Sequence, residues 1–337
     1  MGAYAPSADV ARQLAALRDD AAVVELDDRA LLVARGGDRA SFLQGMLSNE
    51  VVRRTAGEGS RALLLTEQGR VVSALRVHVL GDEIWLDVDR GTRSAVRAAL
   101  ERFLVADDVE LEERPAAAVA VRGPRAAERV AELAGISPNE LGQLVDGAHR
   151  ELSLAGVPAR AARACDRSGD GFALWVADGA AAARVLDAFR AAGVAEAGQE
   201  ALEALRIAAG EAREGIDFDE STLAPEVPSL APAISYRKGC YLGQEVVERV
   251  AARGHVNWTI ARLALDATAP PDRGAAVFHR DSDVGRVTSA ARLPGDGAIA
   301  ILARVRRTAA DEGSGLAVDV GGTRVAARVV PDPPPSE

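Results

Sequence analysis

Ile84-Trp85-Leu86-Asp87-Val88, running into an Ala-rich stretch from Thr92 to Phe103, is answered later in the chain by Leu174-Trp175-Val176 running into Ala180 to Ala192. Each pair reads as a Trp-bearing strand followed by a helix. Ahead of the first pair, Leu32-Val33-Ala34-Arg35-Gly36 leads into a helix-like stretch from Asp38 to Leu47. Ahead of the second, Val119-Ala120-Val121-Arg122-Gly123 leads into Pro124 to Ala134. The offset is close to 90 residues throughout. Each half then holds strand–helix–strand–strand–helix, which suits a mixed α+β layer with helices over one sheet face. The alternative is coincidence in a chain dominated by Ala, Val and Arg.

Around this repeat the texture changes twice. A helix from Leu202 to Gly210 gives way to Gly215 to Pro232, which carries Pro225, Pro228 and Pro232 with four acids. That segment is too interrupted for regular structure and too apolar for a linker, so it reads as a loop laid over a site. Beyond His255 come short apolar runs: Trp258 to Leu265, Ala275 to His279, Val284 to Ala290, Ala298 to Ala303 and Arg324 to Val330. They predict a small antiparallel barrel. The expected layout is a first half over 1–114, broken at Glu112-Glu113-Arg114-Pro115, and a second half over 115–254. A barrel over 255–330 and a frayed tail over 331–337 complete it. At the front, Ser7 reads as the cap of an amphipathic helix carrying Val10, Leu14 and Leu17.

Composition narrows the function. The 337 residues are 48% hydrophobic and 27% charged, ordinary for a globular protein, and no run of about 18 apolar residues offers a membrane span. With no secretory signal visible, the cytoplasm is the expected compartment. A net charge of −10 argues against a nucleic-acid partner, which needs clustered Lys and Arg. Cys165 and Cys240 are far apart, and the four histidines show no ligand spacing, so neither a disulfide framework nor a metal site is indicated. Cys165 reads as structural. Among 40 basic residues there is a single lysine, Lys238, two positions before Cys240. Codon bias explains the scarcity of lysine; the position where one survives is the informative part.

Tyr236 to Arg249 therefore holds the candidate site. Gly239 and Gly243 break the backbone on either side of Cys240, and Gln244 to Ala251 reads as a helix. Cys240 would lie ahead of a helix N-terminus and near an ammonium, and both favour a thiolate. The bland alternative is an inert buried cysteine with a solvated lysine. Tyr236 and Tyr241 either flank a planar ligand or pack at a rim. Glu245 suits the first helical turn.

Lys238-Gly239-Cys240-Tyr241-Leu242-Gly243-Gln244-Glu245 resembles the signature of the YgfZ family of folate-binding, aminomethyltransferase-like iron–sulfur assembly factors. Supporting matches run along most of the chain, from Phe42-Leu43-Gln44-Gly45 through Leu205-Arg206-Ile207 and Gly215-Ile216-Asp217 to Arg253-Gly254-His255. The resemblance implies an aminomethyltransferase-like fold, with two pseudo-repeated α+β domains around a central opening and a C-terminal barrel. It implies tetrahydrofolate as ligand and iron–sulfur enzymes as clients. Cys240 becomes the reactive candidate and Lys238 its electrostatic partner, with Tyr236, Arg206 and Arg249 as folate-binding candidates. Two departures stand out. Ala208 occupies the place of an acid that grips the pterin in aminomethyltransferases, and the catalytic carboxylate expected after the Trp85 strand falls near Arg93 or Ser94, with Asp89 out of register. Aminomethyl transfer or demethylation is thus one alternative, and a non-catalytic interaction scaffold another. A single motif cysteine cannot hold a cluster, which takes four ligands.

Overall fold

In the computed structural model the described residues are 8–253, 256–294, 297–312 and 315–331. Ser7, Gly254, His255 and the tail beyond Pro331, on which the sequence also placed expectations, lie outside them. The contacts divide the chain into two compact units. One holds residues 15–197 and 232–246, the other the remaining described residues.

The chain opens with α1 (Ala8–Asp19), whose Val10, Leu14 and Leu17 are buried at helical spacing. The first half continues with β1 (Ala22–Leu26), β2 (Arg29–Arg35), α2 (Arg39–Met46), β3 (Gly59–Leu65), β4 (Val71–Val79), β5 (Ile84–Asp89), α3 (Arg93–Glu101) and β6 (Glu110–Arg114). The second half has β7 (Ala117–Arg122), α4 (Ala126–Ala134), the short α5 (Pro138–Gly142), β8 (His149–Leu154), β9 (Val157–Arg163), β10 (Gly171–Val176), α6 (Gly179–Ala191) and β11 (Ala195–Glu196). The duplication read from the sequence is present, but each half carries three strands between its two helices where the sequence reading placed two, and the second half adds α5.

Two sheets result. The first has the order β3-β4-β5-β2-β6, all antiparallel, with Leu32 opposite Leu86. Its helix-covered face buries Leu32, Leu43, Leu64, Leu86 and Leu100. The second has the order β11-β1-β7-β10-β9-β8 and buries Val121, Val130, Phe172, Val185 and Phe189. β10 is buried at every position, as expected of a central strand covered on both faces. One strand departs from strict duplication. The place beside β7 is taken by β1, with Val24 opposite Ala120, whereas the corresponding place beside β2 belongs to β6. The helix-free faces of the two sheets meet around Leu31, Trp85, Ala118, Ala173 and Trp175.

That junction also carries a titrating group. His149 is 3% exposed; its Nε2 lies 3.1 Å from the Val79 carbonyl and its Nδ1 3.0 Å from Arg160 Nη1. A guanidinium can only donate, so Nδ1 accepts and Nε2–H donates to the carbonyl. This fixes one neutral tautomer. Burial, His78 and Arg160 together push the imidazole down to about 3. The unfolded chain takes up this proton below about pH 6.5 while the folded chain does not, so stability is lost as pH falls from 6.5 toward 3. At about 1.4 kcal/mol per pH unit, some 2 kcal/mol should be gone by about pH 5. Urea denaturation of the wild type and of His149→Gln at pH 7 and pH 5 checks this. Equal pH dependence in both proteins would assign the loss elsewhere.

In the other unit, α7 (Gln199–Ala209) ends at Gly210, which takes the left-handed conformation (φ 78°) that closes many helices. The proline-bearing segment after it is ordered as two short 3₁₀ turns, Ala224–Glu226 and Pro228–Ala233, with Asp217, Thr222 and Glu226 buried. After α8 (Gln244–Arg253) come β12 (Trp258–Leu265), β13 (Ala276–His279), β14 (Ser282–Arg292), β15 (Ile299–Arg306), α9 (Arg307–Glu312), β16 (Leu316–Val320) and β17 (Thr323–Val329). The strands close into a barrel in the order β12-β15-β14-β13-β16-β17. The five predicted strands are present, and β16 is the one the sequence reading missed. Its Leu316 and Val318 point inward but are the only buried residues in a short run flanked by glycines. The barrel needs it, because β13 and β17 do not pair and each bonds to β16. Among the described residues no helix is long and apolar enough to cross a membrane.

Candidate functional site

The segment 232–246 is planted on the C-terminal end of α2. A helix leaves its last carbonyls without intrahelical partners. Here α2 turns into extended backbone at Leu47 (φ −102°, ψ 148°), which opens those carbonyls to another donor. Lys238 supplies it. Its Nζ donates to the Gln44 carbonyl at 2.6 Å, to the Asn49 carbonyl at 3.1 Å and to the Leu47 carbonyl. All three ammonium protons are thereby used. A cation at a helix C-terminus also opposes the negative end of the helix dipole. Lys238 is only 7% exposed, and this burial pushes its ammonium down to about 8, with Glu50 acting in the opposite sense. The ring of Tyr241 lies 5.1 Å from Nζ and adds a cation–π contact.

Further hydrogen bonds fasten the segment on either side of the lysine. The buried Ser48 hydroxyl donates to the Ala233 carbonyl at 2.7 Å and accepts the Leu63 amide at 2.7 Å. The Ser235 amide donates to the Ser48 carbonyl, and the Leu242 amide to the Gly45 carbonyl. Gln44 contributes its side chain too, accepting from the Val51 amide at 2.7 Å. Gly243 fits tightly at φ 81°: a Cβ there would stand 2.5 Å from the Thr66 carbonyl oxygen, so any other residue forces the loop away from the β3–β4 turn. At Gly239 a Cβ would meet nothing within 4 Å. The result is a loop held firmly at 233–235, 238 and 241–243, with Gly239 and Cys240 exposed between the fixed points.

The structure thus brings Lys238, Gly239, Cys240, Tyr241, Gly243, Gln244 and Glu245 into one loop and the first turn of α8. It revises three expectations. The ammonium does not hydrogen-bond the thiol, because the α2 carbonyls use its donors. Tyr236 and Tyr241 do not form a matched pair around a ligand: Tyr236 is exposed and Tyr241 is 7% exposed, packed under the ammonium. Arg206, in α7 of the other unit, has no donor left for a ligand. Its Nε and Nη2 bind the Glu203 carboxylate at 2.8 and 2.6 Å, Nη1 reaches Asp217 at 2.7 Å and the Glu211 carbonyl at 3.2 Å, and Nη2 also reaches Ser289 at 3.0 Å. A guanidinium has five N–H groups, and all five are taken. Arg249 is exposed on α8.

Sequence reasoning missed the receiving half of the site: Gln44, Leu47, Ser48 and Asn49. Phe42-Leu43-Gln44-Gly45 stood out as a motif, but nothing local linked it to Lys238, 194 residues away from Gln44 in sequence. The other cysteine, Cys165, receives the Arg163 Nε at 3.4 Å, and burial together with Asp170 pushes its thiol up to about 11. It is held as a thiol. Among the described residues no group of three or more His, Cys, Asp or Glu is placed to hold a metal ion.

Comparison with known proteins accords with this architecture. Residues 3–238 match the GCVT N-terminal domain, and residues 259–334 match the glycine cleavage T-protein C-terminal barrel domain. An aminomethyltransferase of Synechococcus sp. (strain RCC307) is 29% identical over 322 residues, covering 94% of this chain and 88% of the relative. One from Geobacillus kaustophilus is 28% identical over 331 residues with the same coverage. Among solved structures, the glycine cleavage system aminomethyltransferase T of Bartonella henselae superposes with a TM-score of 0.83 over 95% of this chain and 88% of that one, at 20% identity. That likeness is one of fold.

Proposed function

This chain belongs to the GCVT family, and we propose that within it the protein is a YgfZ-type accessory factor, binding a reduced folate and serving iron–sulfur enzymes through Cys240. The observation that carries this reading is the exposed thiol at the tip of a loop pinned on both sides. Such a loop presents sulfur to a partner in a fixed position without burying it. Lys238 acts here as a positioning residue: it anchors the loop one residue before Gly239 and leaves the thiol free. An exposed, unpaired cysteine suits exchange chemistry with another protein's sulfur or cluster, and its reactivity follows from access.

The relatives' name offers a second reading, aminomethyl transfer. It is the weaker one, because the position where aminomethyltransferases resembling this chain carry the catalytic carboxylate falls here near Arg93 or Ser94. Asp87 is buried against Arg29, and Asp89 accepts the Gly91 amide in the turn that follows. Folate recognition has support from the family, while α7 carries Ala208 where an acid is expected to grip the pterin. Ala208 has no acceptor for a pterin, and Glu203 on the same helix is shared between Arg206 and Arg213. Any pterin donors must find another acceptor.

Cys240→Ala is expected to leave unfolding stability within about 0.5 kcal/mol, as for exposed positions generally. It should also abolish rescue of an iron–sulfur enzyme in cells lacking the protein. Full rescue by that variant would remove the thiol from the function. Titration of the purified protein with 5-formyltetrahydrofolate should show saturable binding; a flat titration would favour a scaffold that binds no folate.

A further inference from the structure

The loop that carries Cys240 shares its platform, the C-terminal end of α2, with a second exposed segment. Gln44 joins the two. Its backbone carbonyl takes the Lys238 ammonium at 2.6 Å, while its side-chain oxygen takes the amides of Val51 and Val52 at 2.7 and 3.2 Å. Ser48 and Asn49 continue the junction, accepting from the Ser235 amide and from Lys238. Residues 44–54 and 232–246 thus border the thiol together, and both belong to the larger unit.

The charge of this surface is opposite to that of the chain. The two segments hold four cations and two acids, against a net charge of −10 for the whole. Both acids are already opposed. Glu50 lies beside the buried Lys238 ammonium and Arg54, and Glu245 stands in the first turn of α8, against the positive end of that helix's dipole. Arg53 and Arg237 are different. Both are exposed, and among the described residues neither guanidinium pairs with a carboxylate. Arg237 is three residues from Cys240, at most about 11 Å along even a fully extended chain. That is close to one Debye length, about 10 Å at 0.1 M salt, so these local charges act at the thiol while the acidic bulk of the chain is screened. Val52 and Tyr236, 52% and 55% exposed, are two of the four large hydrophobic side chains left exposed among the described residues, and they add apolar contact beside the arginines.

We propose that the partner segment meeting Cys240 is acidic, with carboxylates flanking the partner's own cysteine and received by Arg53 and Arg237. This rests on the reading of Cys240 as the working thiol and adds the chemistry of what it meets. A basic segment would face two unmatched guanidiniums at close range. In the exchange, the Cys240 thiolate attacks the partner's disulfide sulfur. A new S–S bond forms, the old one breaks, and the second sulfur leaves as a thiolate.

Two synthetic peptides test this, Glu-Glu-Cys-Glu-Glu and Lys-Lys-Cys-Lys-Lys, each activated as its mixed disulfide with thionitrobenzoate. Cys240 displaces thionitrobenzoate, whose release is followed by absorbance with the purified chain at about 0.1 M salt. The rate in Cys240→Ala is subtracted as the share of Cys165, and rates with 2-mercaptoethanol, a neutral thiol, correct for the peptides' own reactivity. The acidic peptide should react about tenfold faster, the low end of electrostatic steering. Reversing both charges, Arg53→Glu with Arg237→Glu, alters exposed positions only and should invert the order. Equal rates for the two peptides in the wild type, or a preference that survives the double reversal, overturns the proposal. The outcome is separable from the functional reading. An acidic preference with full cellular rescue by Cys240→Ala would sink that reading alone, and equal peptide rates with rescue lost would sink this one alone.

Discussion

Replacing Lys238 by Met should lower the free energy of unfolding by about 3–5 kcal/mol, the scale seen when one partner of a buried charged contact is removed. Methionine keeps the length and volume of the stem, so packing is nearly conserved and the loss reports the ammonium. Without it, the carbonyls of Gln44, Leu47 and Asn49 remain at the end of α2 with their donor gone. Each hydrogen bond to a charged group contributes about 1.5–3 kcal/mol, and partial entry of water beside the exposed Gly239 and Cys240 offsets some of the sum. Arginine should not rescue. Its flat guanidinium is too wide to converge on three carbonyls that face a single point. Urea denaturation measures the effect; a loss below about 1 kcal/mol would mean that the lysine is incidental to the loop. The same variant should free the Cys240 segment, read as faster amide exchange over 233–243.

Arg206→Met should be comparably damaging, again about 3–5 kcal/mol, for the opposite electrostatic reason: it strands an anion. The Asp217 side chain is fully buried. It accepts from Arg206 at 2.7 Å, from the Arg213 amide at 2.9 Å, and from Thr288 and Ser289 at 2.6 Å each. This carboxylate ties the segment after α7 to the barrel strand β14. With the guanidinium gone, three neutral donors must carry a full negative charge out of water. Asp217→Asn alone should also destabilise. The two changes together should cost clearly less than the sum of the single losses, because each removes the charge that the other leaves unpaired. Strict additivity in a double-mutant cycle would show that the pair is not coupled.

These two residues show where reading the chain alone succeeds and where it stops. Lys238 stood out because it is the chain's single lysine, and Arg206 because it sits in a motif. Both were assigned to ligand or thiol chemistry, and both proved to be occupied in holding backbone and carboxylates together. A sequence shows that a cation is present; it does not show whether its protons are already committed. The commitment of Lys238 depends on carbonyls 189 to 194 residues away, and that of Arg206 on a serine 83 residues away. The loop itself was legible, since Gly239 and Gly243 bracket the cysteine. The reason for Gly243 was not, because the obstructing atom belongs to Thr66.

The chain by itself determined its local grammar: the duplicated strand–helix units, most of the barrel strands, the proline-bearing segment and the position of the exposed cysteine. Periodicity and turn chemistry act over a few residues, so they are written into the sequence directly. Only the tertiary structure decided that β1 completes the second sheet, that β16 closes the barrel, and that the protons of the lysine go to the carbonyls at the end of α2. Those outcomes depend on which hydrogen-bonding groups a distant segment leaves unpaired, and such vacancies exist only once the chain has folded.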